Sequence, residues 1–274
     1  MDRSTLRGIA GFAACAALGA LLAACGGDSG GGATVKAGSG QEVELVNEDQ
    51  LTVCTHLPYE PFQFRKGDEI VGFDVDLMDR VARRLGVEQQ IVDTPFEGIQ
   101  SGEDLNALKC DAAAAGMTIT DEREKKIDFS DPYFDATQAL VVKKGAPYAG
   151  LEDLKGETVG VQDGTTGEIY AQEHAPEGVE LRTYEDLALL LSAVKTGQIP
   201  AAINDSSVLY PYIKENPDTA VATEFDTGEQ YGIGVREKGS EALLTVINKT
   251  LAESRSDGSY DEIYRTWFGE APEK

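Results

Sequence analysis

A short run of polar and basic residues, 115–123, carries the most specific chemistry in this chain. It follows an apolar segment typical of a buried strand, and residues 121–124 are typical of a first helical turn that Thr120 or Asp121 caps. A turn of this kind directs free backbone N–H groups toward one point, and Arg123 adds a planar guanidinium that suits a carboxylate. The run therefore predicts an anion site. The alternative is an arginine that pairs with a neighbouring acid on the helix surface.

A second turn of the same type lies at residues 164–168, which read Gly-Thr-Thr-Gly-Glu and follow a predicted strand at 158–161. Thr165 and Glu168 have the spacing of a capping box, so a helix is expected to start here with backbone donors available. The alternative is an ordinary helix cap that touches no ligand.

Short apolar strands alternate with amphipathic helices along the chain, which predicts an α/β architecture. The predicted strands are 51–54, 90–92, 111–115, 138–142, 158–161, 201–203 and 231–235. The predicted helices are 75–85 with Asp74 as cap and Gly86 as stop, one that starts at Thr183 and stops at Gly197, and one that carries residues 243–251.

Two extended stretches, 136–142 and 230–235, suggest crossings between two lobes. If both cross, the first lobe is discontinuous and consists of residues 43–137 and 233–274. The second lobe is then 138–232, and each lobe has the size of an ordinary domain.

The N-terminal residues 1–24 are predicted to be a signal peptide, because a positive start precedes the apolar stretch 8–22, which is too short for a comfortable membrane span. This stretch ends in Leu-Ala-Ala-Cys25, which looks like a bacterial lipobox and predicts lipidation of Cys25. The alternative is an ordinary secretory signal with an incidental cysteine. Residues 25–42 are rich in Gly and Ser and are predicted to be a flexible tether. We therefore expect an extracytoplasmic protein that a lipid anchors to the outer face of the plasma membrane.

The charge of the chain argues against nucleic acid as a partner. There are 48 acidic and 24 basic residues, and the formal net charge is −24. Such a chain lacks the basic face that binds nucleic acid or anionic lipid.

Four cysteines are present, and two of them fall in the predicted leader or at its end. The remaining pair, Cys54 and Cys110, would lie in an oxidising compartment, where an even count permits one disulfide. Each belongs to a strand predicted to neighbour the other, so a bond is expected. The alternative is two buried thiols.

Eight stretches of the chain, all between residues 51 and 269, resemble the polar amino-acid-binding proteins of ABC importers, the bacterial extracellular solute-binding proteins of family 3. The stretches are THLPYEPF (55–62), VGFDVDL (71–77), AGMTITDER (115–123), IDFSDPY (127–133), LEDLKG (151–156), VGVQDGTTG (159–167), YGIGV (231–235) and DGSYDEIYRTWFG (257–269). The resemblance implies a type II periplasmic-binding-protein-like fold, in which two lobes on a two-stranded hinge close over the ligand. It also implies an ABC permease as partner, and a monomer suffices for this architecture.

The resemblance also implies which residues hold the ligand. Arg123 and Thr118 match positions that bind the carboxylate of the amino acid, and Thr166 matches a threonine of the second lobe that reaches the same carboxylate. Asp205 matches an acid that binds the ammonium, with help from the backbone near Gly116. From the residues alone, the alternative is a turn aspartate that caps the next helix at residues 206 and 207.

The side-chain pocket shows the main departure from the family pattern. Tyr59, Phe96 and Thr165 match wall positions, although isolated aromatic residues more often belong to a core. At His56, members that bind cationic amino acids typically have an aspartate. A histidine, with an ordinary pKa of about 6.5, removes this fixed negative charge. We therefore expect neutral or acidic ligands such as glutamine, glutamate or aspartate in preference to basic ones, unless His56 turns away from the cleft.

Two other functions remain open at this point. The same scaffold hosts dehydratases that act on prephenate-like acids, and His56, Glu97 and Asp205 are acid–base groups. However, the sequence shows no nucleophile–base pair and no His/Cys cluster with metal spacing, so we predict neither catalysis, nor a metal, nor a cofactor. A lipoprotein that senses an amino acid without delivering it is the second alternative.

Overall fold

The computed structural model describes residues 33–38 and 40–269, and this part of the chain alternates strands and helices. The strands are β1 Ala33–Lys36, β2 Glu42–Leu45, β3 Gln50–Thr55, β4 Phe64–Lys66, β5 Glu69–Val71, β6 Glu88–Asp93, β7 Ala112–Ala113, β8 Ile127–Phe129, β9 Phe134–Lys143, β10 Thr158–Gln162, β11 Glu180–Tyr184, β12 Ala201–Asp205, β13 Thr219–Tyr231 and β14 Gly234–Arg236. The α-helices are α1 Phe73–Leu85, α2 Phe96–Gln100, α3 Glu103–Asn106, α4 Asp121–Glu124, α5 Thr166–His174, α6 Leu187–Thr196, α7 Ser206–Glu215, α8 Glu241–Asp257 and α9 Ser259–Phe268. None of the helices described is long and apolar enough to cross a membrane.

Ten of these fourteen strands form two five-stranded mixed sheets, which confirms the predicted α/β class and the division into two lobes. The sheet of lobe 1 has the order β6-β3-β7-β14-β8, with β3 parallel to both β6 and β7. The sheet of lobe 2 has the order β11-β10-β12-β9-β13, with β10 parallel to both β11 and β12. The carboxyl ends of the parallel strands in such sheets are where ligands usually bind.

Two neighbouring antiparallel strands of lobe 2, β9 and β13, reach into lobe 1. Their paired ends, Phe134 and Tyr231, stack with ring centroids 5.5 Å apart. Both rings also contact Phe62, a fully buried residue of lobe 1. This pair of strands has the position that a two-stranded hinge requires. The lobe boundaries themselves, 137/138 and 232/233, stay a prediction.

Helix α1 differs from the prediction at its start. It begins at Phe73 after Gly72, and Asp74 lies inside the first turn instead of capping it. Gly72 has φ +145°, and a Cβ there would lie 2.0 Å from the carbonyl oxygen of Phe62, so only glycine fits. The buried Asp74 instead accepts hydrogen bonds from the backbone N–H of Gly116 and from the hydroxyl of Tyr133. The predicted stop of the helix at Gly86 is confirmed.

Three other predictions need correction. Helix α6 starts at Leu187 with Asp186 as its cap, whereas Thr183 lies in β11, which pairs in parallel with β10. The predicted strand 231–235 is two strands, because Tyr231 ends β13 and β14 starts only at Gly234. The predicted strand 111–115 keeps only the two residues of β7.

The predicted tether, 25–42, is too long at its C-terminal end. Residues of β1 pair with β2, and Val35 lies opposite the buried Val43. The alternating pattern of β2 buries Val43 and Leu45, and Val35 packs against the same apolar cluster from the neighbouring strand. The predicted signal peptide and the lipidation candidate Cys25 lie outside the described residues.

The predicted disulfide between Cys54 and Cys110 is confirmed, with Cα atoms 5.7 Å apart. Cys54 lies in β3, and Cys110 precedes β7, the strand that pairs beside it. The bond closes a loop with a sequence separation of 56 residues. It therefore ties together two strands whose carboxyl ends lead into the candidate site.

Candidate functional site

All nine residues that the sequence assigns to a ligand lie around one cleft between the lobes. They are His56, Tyr59, Phe96, Gly116, Thr118, Arg123, Thr165, Thr166 and Asp205. Most of them follow the carboxyl ends of β3, β7, β10 and β12, where mixed α/β sheets place their ligands. Within residues 33–38 and 40–269, no cluster of His, Cys, Asp or Glu side chains is arranged to hold a metal ion.

Arg123 is a buried cation that donates to carbonyl groups. Its side chain donates from Nη1 to the carbonyl of Thr118 (2.7 Å) and from Nη2 to the carbonyl of Gly164 in lobe 2 (3.0 Å). The guanidinium lies 5.3 Å from the ring centroid of Phe96. Among the described residues, no carboxylate lies within ion-pair distance of it. The alternative of a surface salt bridge is therefore wrong, and the charge remains available to an anion.

The surroundings of Arg123 perturb its pKa without removing its charge. Burial lowers the pKa of the guanidinium to about 10, against the opposing effect of the negative charges on Asp205 and Glu229. At neutral pH the group is still a cation. Its burial lowers the local dielectric constant and strengthens its attraction for a carboxylate.

Both predicted helix starts are confirmed by their caps. Thr120 caps α4 by accepting a hydrogen bond from the backbone N–H of Arg123. Thr165 caps α5 by accepting from the N–H of Glu168 (3.2 Å), and the carboxylate of Glu168 accepts from the N–H of Gly164 (2.9 Å). Because Thr165 is used as the cap, the hydroxyl of Thr166 is the one that extends into the cleft.

Asp205 ends β12 and occupies the cap position of α7, but its side chain makes no capping hydrogen bond. Its carboxylate accepts from the hydroxyl of Tyr59 (2.6 Å), from the hydroxyl of Tyr231 and from the side-chain amide of Gln138. The interpretation as a turn aspartate that caps the next helix is therefore wrong.

Burial and the negative charge of Glu229 together raise the pKa of Asp205 to about 6, against the opposing effect of its hydrogen bonds. The carboxylate is thus costly to ionise in the closed protein. A cation placed beside it would relieve that cost, which makes Asp205 a suitable partner for an ammonium.

Tyr59 and Gly116 fit closely together on the lobe 1 side. The hydroxyl of Tyr59 crosses the cleft to the amide oxygen of Asn204 (3.1 Å) as well as to Asp205. Gly116 has φ +56°, and a Cβ there would lie 2.8 Å from Cε1 of Tyr59. Only glycine therefore permits both this backbone conformation and the approach of the ring.

His56 faces the cleft and does not turn away from it. Its Nδ1 lies 2.9 Å from the carbonyl oxygen of Thr94, so Nδ1 carries a hydrogen and donates. The other ring nitrogen, Nε2, is buried and has no hydrogen-bond partner among the described residues. In the neutral ring this nitrogen is an acceptor.

Several polar residues of the site were missed by the sequence reasoning. Glu229 accepts hydrogen bonds from the hydroxyls of Thr118 (2.8 Å) and Thr166 (2.6 Å). Gln138 is fully buried and donates to Asp205, while Gln63 and Gln162 line the cleft. One usable signal was a glutamine at the start of the apolar strand 138–142, since a buried amide needs polar partners.

Comparison with known proteins matches most of this chain to one family. The family model described as bacterial extracellular solute-binding proteins, family 3, matches residues 51–270. The ABC transporter glutamine-binding protein GlnH of Bacillus subtilis (strain 168) is 36% identical over 260 residues, which cover 92% of this chain and 93% of that protein. The arginine-binding extracellular protein ArtP of the same organism is 33% identical over 233 residues, covering 84% of this chain and 91% of that protein.

Solved structures show the same fold. An ancestral arginine-binding protein bound to glutamine matches with a TM-score of 0.76 and 43% identity, covering 81% of this chain and 99% of that one. Holo ArgBP from T. maritima matches with a TM-score of 0.71 and 39% identity, covering 80% and 96%. These neighbours have the predicted type II periplasmic-binding fold, and the relatives are binding proteins of transporters and not enzymes. This chain therefore belongs to the bacterial extracellular solute-binding proteins of family 3.

Proposed function

We propose that this protein captures a polar L-amino acid between its two lobes and delivers it to an ABC permease. The observation that carries the proposal is that Arg123 and Asp205 line the same cleft. Arg123 is a buried cation without a contacting carboxylate in the described part of the chain, and Asp205 is a buried acid from the other lobe. An amino acid presents a carboxylate and an ammonium a few ångströms apart, so it satisfies both groups at once and links the lobes.

In the proposed complex, the ligand carboxylate binds to the guanidinium of Arg123 and to the hydroxyls of Thr118 and Thr166. The ammonium binds to Asp205 and to the backbone near Gly116. Because these groups come from both lobes, the ligand binds the closed form more tightly than the open one, and it shifts the protein toward closure.

His56 supports a preference for a neutral side chain. With Nδ1 donating to Thr94, Nε2 accepts a hydrogen bond, which matches the side-chain amide of glutamine. A glutamate side chain would need a proton on Nε2. A lysine or arginine side chain would bring a charge that His56 does not offset, since Asp205 is used by the ammonium and Glu229 lies at the carboxylate end, beside Thr118 and Thr166. We therefore propose glutamine first, acidic ligands next and basic ligands last.

The relatives support an amino acid as the ligand, but they do not agree on which amino acid it is. GlnH of Bacillus subtilis is a glutamine-binding protein and ArtP an arginine-binding protein. One ancestral arginine-binding protein is bound to arginine in one structure and to glutamine in another.

We further propose that the mature protein starts at Cys25, that a lipid on this cysteine anchors it to the outer face of the plasma membrane, and that it acts as a monomer. The lipobox-like sequence before Cys25 supports the anchor. Intact-mass measurement of the membrane fraction tests it, because a Cys25→Ala chain must lack the mass of the lipid and leave the membrane.

A thermal-shift screen against the twenty amino acids, followed by calorimetry on the hits, tests the proposed function. We expect L-glutamine to raise the melting temperature and the Arg123→Ala variant to bind it at least about a hundredfold more weakly, since a buried carboxylate would lose its charged partner. Arg83→Ala, an exposed arginine of α1, is the matched control and should bind normally. Tight binding of lysine with weak binding of glutamine would contradict the proposed preference, and unchanged affinity in Arg123→Ala would contradict the site.

A further inference from the structure

The hinge strand β13 carries a second acidic side chain toward the cleft. Side chains two residues apart lie on the same face of a strand, and Glu229 and Tyr231 therefore share a face. Residues 228 and 230 are exposed, whereas Glu229 is half-buried and Tyr231 is fully buried. The hydroxyl of Tyr231 reaches Asp205, so this face of the strand borders the ammonium site.

Backbone pairing fixes Thr118 of lobe 1 beside this strand. The N–H of Ile119 donates to the carbonyl of Gln230 (2.8 Å), and the N–H of Gly232 donates to the carbonyl of Met117 (3.0 Å). Thr118 therefore lies opposite Tyr231, within reach of the side chain of Glu229.

The carboxylate of Glu229 joins hydroxyls from the two lobes at one oxygen atom. Oε2 accepts from Thr118 of lobe 1 (2.8 Å) and from Thr166 of lobe 2 (2.6 Å). The amide of Gln138 lies 3.2 Å from the other oxygen, Oε1. These two hydroxyls are the donors that the proposed function assigns to the carboxylate of the amino acid.

The charge of Glu229 also acts on both ends of the proposed ligand site. It raises the pKa of Arg123 from one side and the pKa of Asp205 from the other. A carboxylate in this position attracts the guanidinium and repels any second carboxylate that approaches the same hydroxyls.

We propose that Glu229 is an internal competitor for the carboxylate of the amino acid, an inference that rests on the proposed function of this cleft. It binds the hydroxyls of Thr118 and Thr166 when the lobes are closed, and it yields them to the ligand carboxylate. Glu229 thus weakens binding of the ligand carboxylate, and it links the lobes without a ligand.

Calorimetry with L-glutamine, and with L-arginine as a second probe, tests the sign of the effect. Glu229→Gln keeps the shape of the side chain and removes its charge, and we expect about tenfold tighter binding. Asp226→Asn removes the same charge from an exposed position of β13 and should leave the affinity unchanged. Weaker or unchanged binding in Glu229→Gln would overturn the proposal, because Glu229 would then support the ligand or not contact its site.

A second measurement needs no ligand. Because Glu229 links Thr118 to Thr166, Glu229→Ala should shift the purified protein toward the open form and increase its radius of gyration in small-angle X-ray scattering. An unchanged radius of gyration would also count against the proposal. If neither amino acid binds the wild-type chain while Glu229→Ala still opens it, the link between the lobes stands, and the failure belongs to the proposed ligand class.

Discussion

At the scale of single residues, the site combines one buried cation with buried acids of unequal roles. Arg123 keeps its charge and donates to carbonyls from both lobes. Asp205 accepts three protein donors and has a pKa of about 6. Asp74, behind the loop at Gly116, has a pKa raised to about 7 by burial. The ionisation of two buried carboxyls therefore falls within an accessible pH range.

The pKa of Asp205 predicts that affinity depends on pH. An ammonium binds the ionised carboxylate, so the affinity for L-glutamine should be nearly constant above pH 7 and fall about tenfold per pH unit below 6. Calorimetry between pH 5 and 8 measures this. Asp205→Asn should bind weakly with a flat profile, and a flat wild-type profile down to pH 5 would contradict the assigned role.

Stability of the protein without ligand should show the opposite slope. A carboxyl whose pKa is raised in the folded state stabilises the fold below its ordinary pKa of 3.8, and this contribution is lost as the pH rises through about 6 for Asp205 and about 7 for Asp74. The melting temperature of Asp205→Asn should therefore fall less than that of the wild type between pH 5 and 8.

At the scale of elements, loops after strand ends position the site, and glycines let them approach each other. Gly116 follows β7 in the left-handed region of the backbone, directly against the ring of Tyr59. Asp74 of α1 holds the N–H of this glycine (2.9 Å). The loop is therefore fixed from behind by a helix and from in front by an aromatic ring.

This packing predicts a loss of binding in Gly116→Ala. The new methyl group would lie 2.8 Å from Cε1 of Tyr59 and displace the hydroxyl that reaches Asp205, so we expect affinity to fall at least about tenfold. Gly258→Ala is the matched control, because Gly258 has φ +81° with open space around it. It should cost about 1–2 kcal/mol of stability and leave calorimetric affinity unchanged. Equal affinity losses in the two variants would show that backbone strain, and not the contact with Tyr59, is responsible.

Local signals explain which parts of this architecture could be predicted. The caps at Thr120 and Thr165 depend on residues three positions apart, and the sequence alone was enough to place both helix starts. The position of the Glu229 side chain at the cleft depends on a register shift in the pairing of β13 with β9, between Phe225 and Glu229. Such an irregularity decides which side chain faces the cleft, and single-sequence periodicity does not contain it.

At the scale of the whole molecule, two long strands of the lobe 2 sheet connect that lobe to lobe 1. Strands β9 and β13 pair along most of their lengths in lobe 2, and their ends enter the aromatic core of lobe 1. Cross-lobe hydrogen bonds then come from side chains near these strands, including Arg123 to Gly164 and Tyr59 to Asn204. Closure therefore brings together groups that are already held rigidly within each lobe.

We expect L-glutamine to make the molecule more compact. The proposed ligand contacts Arg123 and Asp205 from opposite lobes, so saturating ligand should lower the radius of gyration in small-angle scattering. In single-molecule fluorescence with one dye on each lobe, it should narrow the distribution of distances between the dyes. D-glutamine, whose ammonium cannot reach Asp205 from the same carboxylate position, is the matched control. A radius of gyration that L-glutamine leaves unchanged in Glu229→Ala, the variant expected to start open, would contradict closure by ligand.

Tyr231 gives this arrangement a mechanical consequence. Its ring stacks on Phe134 where β9 and β13 enter lobe 1, and its hydroxyl reaches Asp205. The ammonium site thus lies close to the axis about which the lobes would rotate. A displacement of a fraction of an ångström near a pivot becomes a shift of several ångströms at the far rim of a lobe. A membrane partner that contacts only the rims would therefore encounter clearly different surfaces in the ligand-bound and ligand-free protein.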